Sequence, residues 1–257
     1  MWGKCLARLF VIRLGAKRRY NGTLGGTLQT ANILNLKAMI LAAGRGRRLR
    51  PLTDQIPKPL LQLAGETLLG RHLRALSSAS ISSVVINTAW LGWMIRHYVG
   101  DGAPYDLDVT ISDEGETVLD TGGGILKAMP LLGAAPFMLL NADIWTDLDL
   151  RTIQPPGPND LASLVLVRNP PHHGAGDFAL DADRVVEHGI QLTYSGMAIL
   201  RPELFAGCTD AIFPLAPLLR QAIGDGRVCG QRYDGAWFDI GTAGRLATAR
   251  QYAAASK

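Results

Sequence analysis

Two hydrophobic patterns alternate along the first part of the chain. Short, largely apolar runs, which are typical of strands buried on both faces of a sheet, lie at 37–43, 83–87 and 136–141. An alternating run at 107–112 predicts a further strand. Helices, indicated by apolar residues three or four positions apart, are predicted at 68–79, 91–99 and 122–132. This order predicts an α/β fold with a doubly wound, mostly parallel (Rossmann-like) sheet flanked by helices.

The pattern changes after residue 150. Strands separated by turns are predicted at 161–168, 178–180, 184–186 and 191–200, and helices at 214–223 and 242–255. No internal repeat or low-complexity linker divides the chain. We therefore expect residues 37–257 to form a single domain in which the second half completes the same sheet.

The charge is distributed unevenly. The 257 residues are 47% hydrophobic and 19% charged, which indicates a folded domain, and their net charge of +4 would by itself suggest a nucleic acid or an anionic membrane as partner. Six basic residues, however, fall in residues 1–36, which contain no acid. Residues 37–257 then hold 20 bases and 22 acids, a net charge of −2. We therefore expect neither nucleic acid nor a membrane as partner.

The basic leader, residues 1–36, has three interpretations. It is a translated stretch upstream of the true start, a disordered basic arm, or an Arg-rich transit peptide. We favour the first, because Leu36 and Met39 stand at the beginning of the first predicted strand.

The cysteines and the apolar runs indicate the compartment. Cys5, Cys208 and Cys229 are widely spaced and form no C-x-x-C pair, which disfavours a disulfide framework or a zinc site. No apolar run approaches the roughly 20 residues that span a bilayer. We expect a cytoplasmic protein.

The densest chemistry follows the first predicted strand, in the segment 44–53 with the sequence GRGRRLRPLT. Glycines let backbone N–H groups approach an anion, and arginines offer planar charged donors to phosphate oxygens. Ligands of doubly wound sheets bind beyond the carboxyl ends of the strands, so this segment predicts a polyphosphate-binding loop. It is not a Rossmann fingerprint, because Leu49 stands where the third glycine belongs, and the chain has no Walker A motif. The competing interpretation is a glycine-rich turn with solvated arginines.

Lys58 stands between two prolines in the segment 57–60, PKPL. The prolines restrict the local backbone, which suits a lysine that directs a point charge at phosphate. Taken alone, the segment is more typical of a proline turn with a surface lysine.

Together, G-x-G-x-R-x-x-P-L-T and P-K-P-L resemble the sugar-1-phosphate nucleotidyltransferases, and the resemblance extends from residue 37 to about residue 255. It implies a nucleotidyltransferase-type fold, with a nucleoside triphosphate and a sugar 1-phosphate as partners. It also implies that Arg48 and Lys58 are catalytic, because they stabilise negative charge while the α-phosphate is attacked. The implied nucleotide-binding residues are Ala42, Ala43, Gly44, Gly46, Arg47, Glu114, Gly122 and Gly123. The last three belong to a polar, then glycine-rich segment, 113–124, whose competing interpretation is a flexible loop with a helix cap.

Two aspartates follow short apolar strands. Asp143 comes after the run 136–141, and Asp239 lies in the segment 237–242, WFDIGT. Carboxylates at strand ends lie over the ligand crevice, and Mg²⁺ prefers a carboxylate or two together with phosphate oxygens and waters. Each aspartate alone could cap a helix or turn. The resemblance implies that both bind Mg²⁺, although Ala142 stands where the family usually has glycine.

The acceptor side is implied by the resemblance as well. It assigns the sugar phosphate to Asn141, Asp177, Glu187, Ser195 and Gly196. The segments 87–92, 169–174 and 213–220 resemble, more specifically, the short bacterial N-acetylmuramate-1-phosphate uridylyltransferases of cell-wall sugar recycling. The adjacent histidines of the second segment favour a substrate-facing loop or a plain turn over a metal site.

The expected reaction is a direct in-line displacement of pyrophosphate from UTP by N-acetylmuramate 1-phosphate. Mannose or glucose 1-phosphate with GTP or UTP, and phosphocholine with CTP, remain alternatives within the same reaction class. A non-catalytic nucleotide-sugar-binding regulatory protein is an alternative of another class. Such proteins usually lose the catalytic arginine, the catalytic lysine or a metal-binding aspartate. This chain retains all four of the matching residues, Arg48, Lys58, Asp143 and Asp239. We expect a monomer or small homo-oligomer.

Overall fold

The computed structural model describes residues 36–255, so the predicted leader lies outside the described residues except for Leu36. The strands are β1 (Lys37–Leu41), β2 (Gln62–Leu63), β3 (Glu66–Thr67), β4 (Ser83–Thr88), β5 (Asp108–Asp113), β6 (Phe137–Asn141), β7 (Ile144–Thr146), β8 (Ala162–Val167), β9 (Phe178–Asp181), β10 (Arg184–Val186), β11 (Gln191–Leu200), β12 (Val228–Tyr233) and β13 (Trp237–Asp239). The α-helices are α1 (Leu52–Gln55), α2 (Leu68–Ser78), α3 (Gly92–Val99), α4 (Asp120–Leu132), α5 (Ala216–Gly224) and α6 (Ala243–Ala255).

The first half of the sheet is parallel, as its apolar runs predict. β5, β4, β1 and β6 lie side by side in that order, and all their pairings are parallel. Successive residues of β1 point to opposite faces, so that Ala38 and Ile40 pack under α2 and α3 while Met39 packs under α4 and α5. Both faces are covered, which explains why this strand is apolar from Ala38 onward.

The second half extends the same sheet with mixed strand directions. β11 runs antiparallel to both β6 and β8, β12 is parallel to β8, and β10 and β9 complete the far edge. Nine of the described strands thus form one sheet, and the α/β prediction is confirmed. β12 was not predicted, because Gly230, Gln231 and Arg232 interrupt its apolar pattern.

A small separate sheet places the ends of two strands together. β13 pairs antiparallel with β7, with Asp239 opposite Ile144. Helix α6 covers this sheet through Leu246 and Ala249, which pack with the buried Trp145. The residues around Asp143 and Asp239 are thereby held against one another by a third hydrophobic cluster.

One histidine is buried beneath this region. His72 lies on α2 with only 5% of its surface exposed, and its Nε2 has no hydrogen-bond partner within residues 36–255. Burial lowers the pKa of His72 from 6.5 to about 4, although the negative charge of Asp143 opposes the shift. The imidazole is therefore neutral in the folded protein at neutral pH.

This burial predicts acid sensitivity. As the pH falls from about 6.5 to about 4, the unfolded chain binds a proton at His72 that the folded chain does not bind. The free energy of unfolding should decrease over this range by up to roughly 3 kcal/mol from this group. Denaturant titrations across the pH range should show a flatter profile for His72→Gln. The exposed His97 provides the matched control, because His97→Gln should retain the wild-type profile; parallel profiles for wild type and His72→Gln would contradict the prediction.

Candidate active site

A first cavity of about 230 Å³ opens at the carboxyl ends of β1 and β6. The backbone of the glycine–arginine loop forms one wall, and the loop after β6 forms the opposite wall. Of the residues predicted to bind nucleotide, this cavity is lined by Ala42, Ala43, Gly44 and Gly46. Lys58, Asn141 and Asp143 lie at the same cavity. The sheet thus brings together side chains from segments that are distant in sequence.

The glycine–arginine loop is held by its own backbone and by Thr53. Gly46 adopts the left-handed region with φ of +61°, and a Cβ there would lie 2.9 Å from Cγ2 of Thr53. The carbonyl oxygen of Gly46 accepts from the backbone N–H of Leu49 at 2.8 Å and from the Thr53 hydroxyl at 2.9 Å. Glycine is therefore required at this turn for both conformation and space.

Two of the four loop arginines already have partners. The guanidinium of Arg45 lies over the Trp90 ring at 5.0 Å from the centroid, and Arg50 forms an ion pair of 3.0 Å with Asp54. Within residues 36–255, Arg47 and Arg48 form no ion pair. Both are exposed, so their charge is available to an anion at the loop.

A buried amide fixes the start of this loop. Oδ1 of Asn87 accepts from the backbone N–H of Ala42 at 2.7 Å, and its Nδ2 donates to Oε1 of Glu114 at 2.6 Å. Oε2 of Glu114 accepts from the backbone N–H of Leu119 at 2.8 Å. Glu114, predicted to bind nucleotide, therefore uses both oxygens within the protein and is only 6% exposed. Its predicted contact with the nucleotide stays a prediction.

Lys58 and Asp143 form an ion pair at the boundary of the first cavity. The Lys58 side chain is only 12% exposed, while that of Asp143 is 33% exposed. The 3₁₀ turn Lys58–Leu60 begins after Pro57, whose extended backbone directs the chain into this turn. The ion pair with Asp143 holds the ammonium group at the first cavity, and the role predicted for Lys58 stays a prediction.

A second cavity of about 320 Å³ adjoins the first and shares Asn141 and Asp143 with it. Its other polar residues come from the glycine–arginine loop, the histidine loop, the middle of β11 and the C-terminal part of the chain. They are Arg48, His172, His173, Thr193, Tyr194, Ser195, Asp239 and Arg245. The predicted catalytic arginine and both predicted metal aspartates thus face one space.

Asp239 is surrounded by cationic or ionisable groups. Its Oδ2 accepts from Nη1 of Arg245 at 2.7 Å, and its Oδ1 lies 3.1 Å from Nε2 of His172. The backbone N–H of Ile240 donates to the carbonyl oxygen of Asp143 at 2.8 Å, which ties the two aspartate segments together. A Cβ at Gly241 would lie 1.7 Å from Nη2 of Arg245 and 3.1 Å from Nη2 of Arg48, so glycine leaves room above all for the Arg245 guanidinium beside Asp239.

Gly196 shapes the wall of the second cavity. It lies in an irregularity of β11 with φ of +79°, and a Cβ there would lie 2.7 Å from Nδ2 of Asn141. The neighbouring Ser195 is fully buried, and its carbonyl oxygen accepts from the indole N–H of Trp237 at 2.9 Å. Gly196 therefore allows the Asn141 side chain to lie between the two cavities.

Several predicted residues have protein partners instead of facing either cavity. The backbone N–H groups of Gly122 and Gly123 both donate to the carbonyl oxygen of Phe213. Asp177 lies 3.0 Å from His173 Nε2 and accepts from a backbone N–H, and Glu187 forms an ion pair with Arg220. These residues support the loops around the site, and their predicted contacts with substrate stay predictions.

Sequence reasoning did not assign roles to Asn87 or Arg245. A signal for Asn87 was available, because it ends a buried parallel strand, where polar side chains reach the ligand edge. Arg245 lies six positions after Asp239, and α6 begins between the two residues. This spacing in the sequence does not indicate that their side chains form a hydrogen bond.

The possible metal site consists of two carboxylates. Within the described chain, no group of three or more His, Cys, Asp or Glu residues converges on one point. Mg²⁺ commonly takes only one or two carboxylates from a protein and completes its shell with waters and phosphate oxygens. Asp143 and Asp239 supply such a pair at the second cavity.

Comparisons with known proteins show what this chain is similar to. The family model described as Nucleotidyl transferase matches residues 37–156. An N-acetylmuramate alpha-1-phosphate uridylyltransferase of Neisseria meningitidis is 46% identical over 231 residues, covering 86% of this chain and 100% of that protein. A protein of the same name from Caulobacter vibrioides is 34% identical over 220 residues, covering 79% of this chain and 91% of that protein.

Solved structures show the same fold. HddC from Yersinia pseudotuberculosis, complexed with GMP-PN, has a TM-score of 0.67 at 21% identity and covers 84% of this chain and 99% of that chain. Among the helices of residues 36–255, none has the length and apolar character to span a bilayer.

Proposed function

Because the chain belongs to the sugar-1-phosphate nucleotidyltransferases, we propose that it transfers the uridylyl group of UTP to N-acetylmuramate 1-phosphate and releases pyrophosphate. The observation that carries this proposal is the pair of adjoining cavities that share Asn141 and Asp143. Transfer between two bound anions requires a donor space and an acceptor space that meet at the α-phosphorus, where one P–O bond forms and another breaks. The geometry of this site supports such an arrangement.

The choice of base and sugar is supported by the two relatives named above. Both carry the same name, and this chain covers 100% of one and 91% of the other. By the same reasoning we place the reaction in cell-wall sugar recycling. A cytoplasmic location and a monomer or small homo-oligomer stay predictions.

The reaction is written as one displacement. An oxygen of the acceptor phosphate attacks the α-phosphorus of the triphosphate, and a new P–O bond forms. The bond from the α-phosphorus to the oxygen bridging to the β-phosphate breaks, and that oxygen leaves with pyrophosphate. No covalent intermediate on the protein is needed, so the protein contributes position and charge.

Lys58 and Arg48 supply positive charge on two sides of the transfer point. Lys58 lines the first cavity and Arg48 the second, while Asp143 lines both. The side chain of Lys58 is held with little exposure to solvent, which strengthens its interaction with an anion. Preorganised charges of this kind stabilise the developing transition state without reorganisation.

Asp143 and Asp239 would hold Mg²⁺, because two carboxylates facing one anion-binding cavity suit this cation. The bound cation would neutralise phosphate charge and polarise the α-phosphate. Both aspartates contact cationic or ionisable side chains in the structure, Asp143 with Lys58 and Asp239 with Arg245 and His172. The acidic charge of the site is therefore balanced by the protein itself.

Two alternatives remain open to the same test. Mannose or glucose 1-phosphate with GTP or UTP, or phosphocholine with CTP, would use the same transfer chemistry. A non-catalytic regulatory protein is disfavoured, because Arg48, Lys58, Asp143 and Asp239 are all present and face the two cavities.

A substrate grid tests the function. The assay measures pyrophosphate release for four nucleoside triphosphates, each combined with phosphocholine or with the 1-phosphate of N-acetylmuramate, N-acetylglucosamine, mannose or glucose. Release should be fastest with UTP and N-acetylmuramate 1-phosphate. Faster release with another pair would replace the proposed substrates. Absence of release with every pair would favour the regulatory alternative.

Removing either catalytic charge should reduce turnover. Arg48→Ala and Lys58→Ala should each lower kcat by at least about 100-fold, the scale of losing one preorganised donor. Arg50→Ala is the matched control, because Arg50 belongs to the same loop but is paired with Asp54 and exposed. Near-normal kcat in both of the first two variants would refute the roles assigned to them.

Metal removal should abolish turnover reversibly. Chelation should stop pyrophosphate release and added Mg²⁺ should restore it. Asp143→Asn and Asp239→Asn should each raise the Mg²⁺ concentration that gives the half-maximal rate by more than roughly tenfold. Losing a residue that only supports a metal ligand already weakens metal binding by about that factor, and a ligand itself should matter more. Asp54→Asn, at an exposed ion pair, is the control. Full activity in chelator would exclude the metal role.

A further inference from the structure

The first cavity has a third wall besides the glycine–arginine loop and the loop after β6. This wall is the segment at the start of α4, and its lining residues are Val118, Asp120 and Thr121. A nucleotide in the first cavity, as the proposed function requires, would lie between this segment and the glycine–arginine loop. The separation of these two walls therefore affects how well a nucleotide fits.

Two side chains connect these walls, and we call them the amide–carboxylate link. Oδ1 of Asn87 accepts from the backbone N–H of Ala42 at 2.7 Å, where the glycine–arginine loop begins. Nδ2 of Asn87 donates to Oε1 of Glu114 at 2.6 Å, and Oε2 of Glu114 accepts from the backbone N–H of Leu119 at 2.8 Å. Leu119 is the residue before α4. Three successive hydrogen bonds thus run from one wall of the first cavity to the other.

The link is shielded from solvent. Asn87 is 2% exposed and Glu114 is 6% exposed, so water does not compete for their hydrogen bonds. Glu114 does not line the first cavity, and its backbone N–H is bonded to the carbonyl oxygen of Thr88 at 2.8 Å. The Glu114 side chain therefore acts on the cavity through its two partners.

The order of donors and acceptors in the link is fixed by its ends. The backbone N–H groups of Ala42 and Leu119 can only donate, so the link must offer an acceptor at each end. In the middle, one side chain must donate to the other. An amide next to a carboxylate satisfies all three contacts, and either side chain can be the amide.

Helix α4 packs directly on the central hydrogen bond of the link. A Cβ at Gly124 would lie 2.7 Å from Oε1 of Glu114 and 2.8 Å from Nδ2 of Asn87. The third glycine of the segment 122–124 is therefore needed because the link occupies the space of a side chain. The position of the link and the position of α4 thus depend on each other.

We propose that Asn87 and Glu114 are positioning residues for the donor nucleotide. Their link holds the glycine–arginine loop and the segment before α4 at the separation that binds the triphosphate. This inference rests on the proposed function. In this role Glu114 affects nucleotide binding without contacting the nucleotide, and a direct contact of Glu114 with the nucleotide is the competing outcome of the test.

Exchanging the amide and the carboxylate tests the link. Glu114→Gln places two N–H donors face to face at one of its contacts, and Asn87→Asp places two carboxylates face to face. The double variant Asn87→Asp/Glu114→Gln restores every contact, because the new glutamine can donate to the new aspartate and accept from Leu119. Glu116→Gln is the matched control, since Glu116 lies exposed in the same segment and loses the same charge.

The measurement is the dissociation constant of UTP, followed by calorimetry, together with the KM for N-acetylmuramate 1-phosphate. Each single variant should weaken UTP binding by about tenfold or more, because a buried polar group loses its partner. The double variant should bind UTP within about threefold of wild type, and Glu116→Gln should resemble wild type. The KM for the acceptor should stay within about twofold in all variants, because neither residue lines the second cavity, whereas a general loss of stability would affect both substrates.

The outcomes separate this inference from the function on which it rests. Wild-type affinity for UTP in both single variants would overturn the role of the link. A double variant that binds UTP as weakly as Glu114→Gln would also overturn it and favour direct contact. If the single variants do not fold, a folded double variant with near wild-type affinity supports the link, and an unfolded or weakly binding one overturns it.

The wild-type protein decides between the two proposals. A protein that binds UTP but transfers it to no acceptor would overturn the proposed function, while the dissociation constants would still test the link. A protein that binds no UTP would overturn both.

Discussion

One buried amide, Asn87, joins three neighbouring parallel strands at their carboxyl ends. From β4 it bonds the first residue after β1 on one side and Glu114, immediately after β5, on the other. An amide side chain can accept and donate at once, which suits a position between a backbone N–H and a carboxylate. In a buried setting such a network is stable only when every member has its partner, and here both oxygens of Glu114 are used. The glycine–arginine loop therefore starts from a fixed point, and the positions of its arginines follow from that point.

The change of strand direction between β6 and β11 creates the second cavity beside the first. In the parallel half, all strand ends face the same edge, which gives one crevice. β11 runs the other way, and its irregularity at Gly196 brings the middle of the strand to that edge next to Asn141. The two cavities thus meet at Asn141 and Asp143.

The sequence predicted those parts whose signals are local. The apolar runs correspond to β1, β4 and β6, and the motif around Gly46 corresponds to a loop that its own hydrogen bonds define. Contacts between distant segments could not be predicted in this way. The ion pair of Glu187 joins residues 33 positions apart, and that of Lys58 joins residues 85 positions apart. Both sides of such a contact look like ordinary surface charges in the sequence, and only the packing of the sheet decides which charges meet. β12 was missed because only Val228 and Cys229 are buried in it, while its polar residues stay partly exposed; its pairing with β8, and not an apolar pattern, makes it a strand.

The position of Arg245 on α6 has a consequence for the order in which the protein can assemble during synthesis. The residues that line the first cavity lie between positions 41 and 143, so the ribosome has produced all of them well before Asp239 and Arg245. The second cavity also needs Asp239 and Arg245 in its lining, and α6, which carries Arg245, packs on Trp145. Translation therefore supplies every lining residue of the first cavity before the last lining residues of the second.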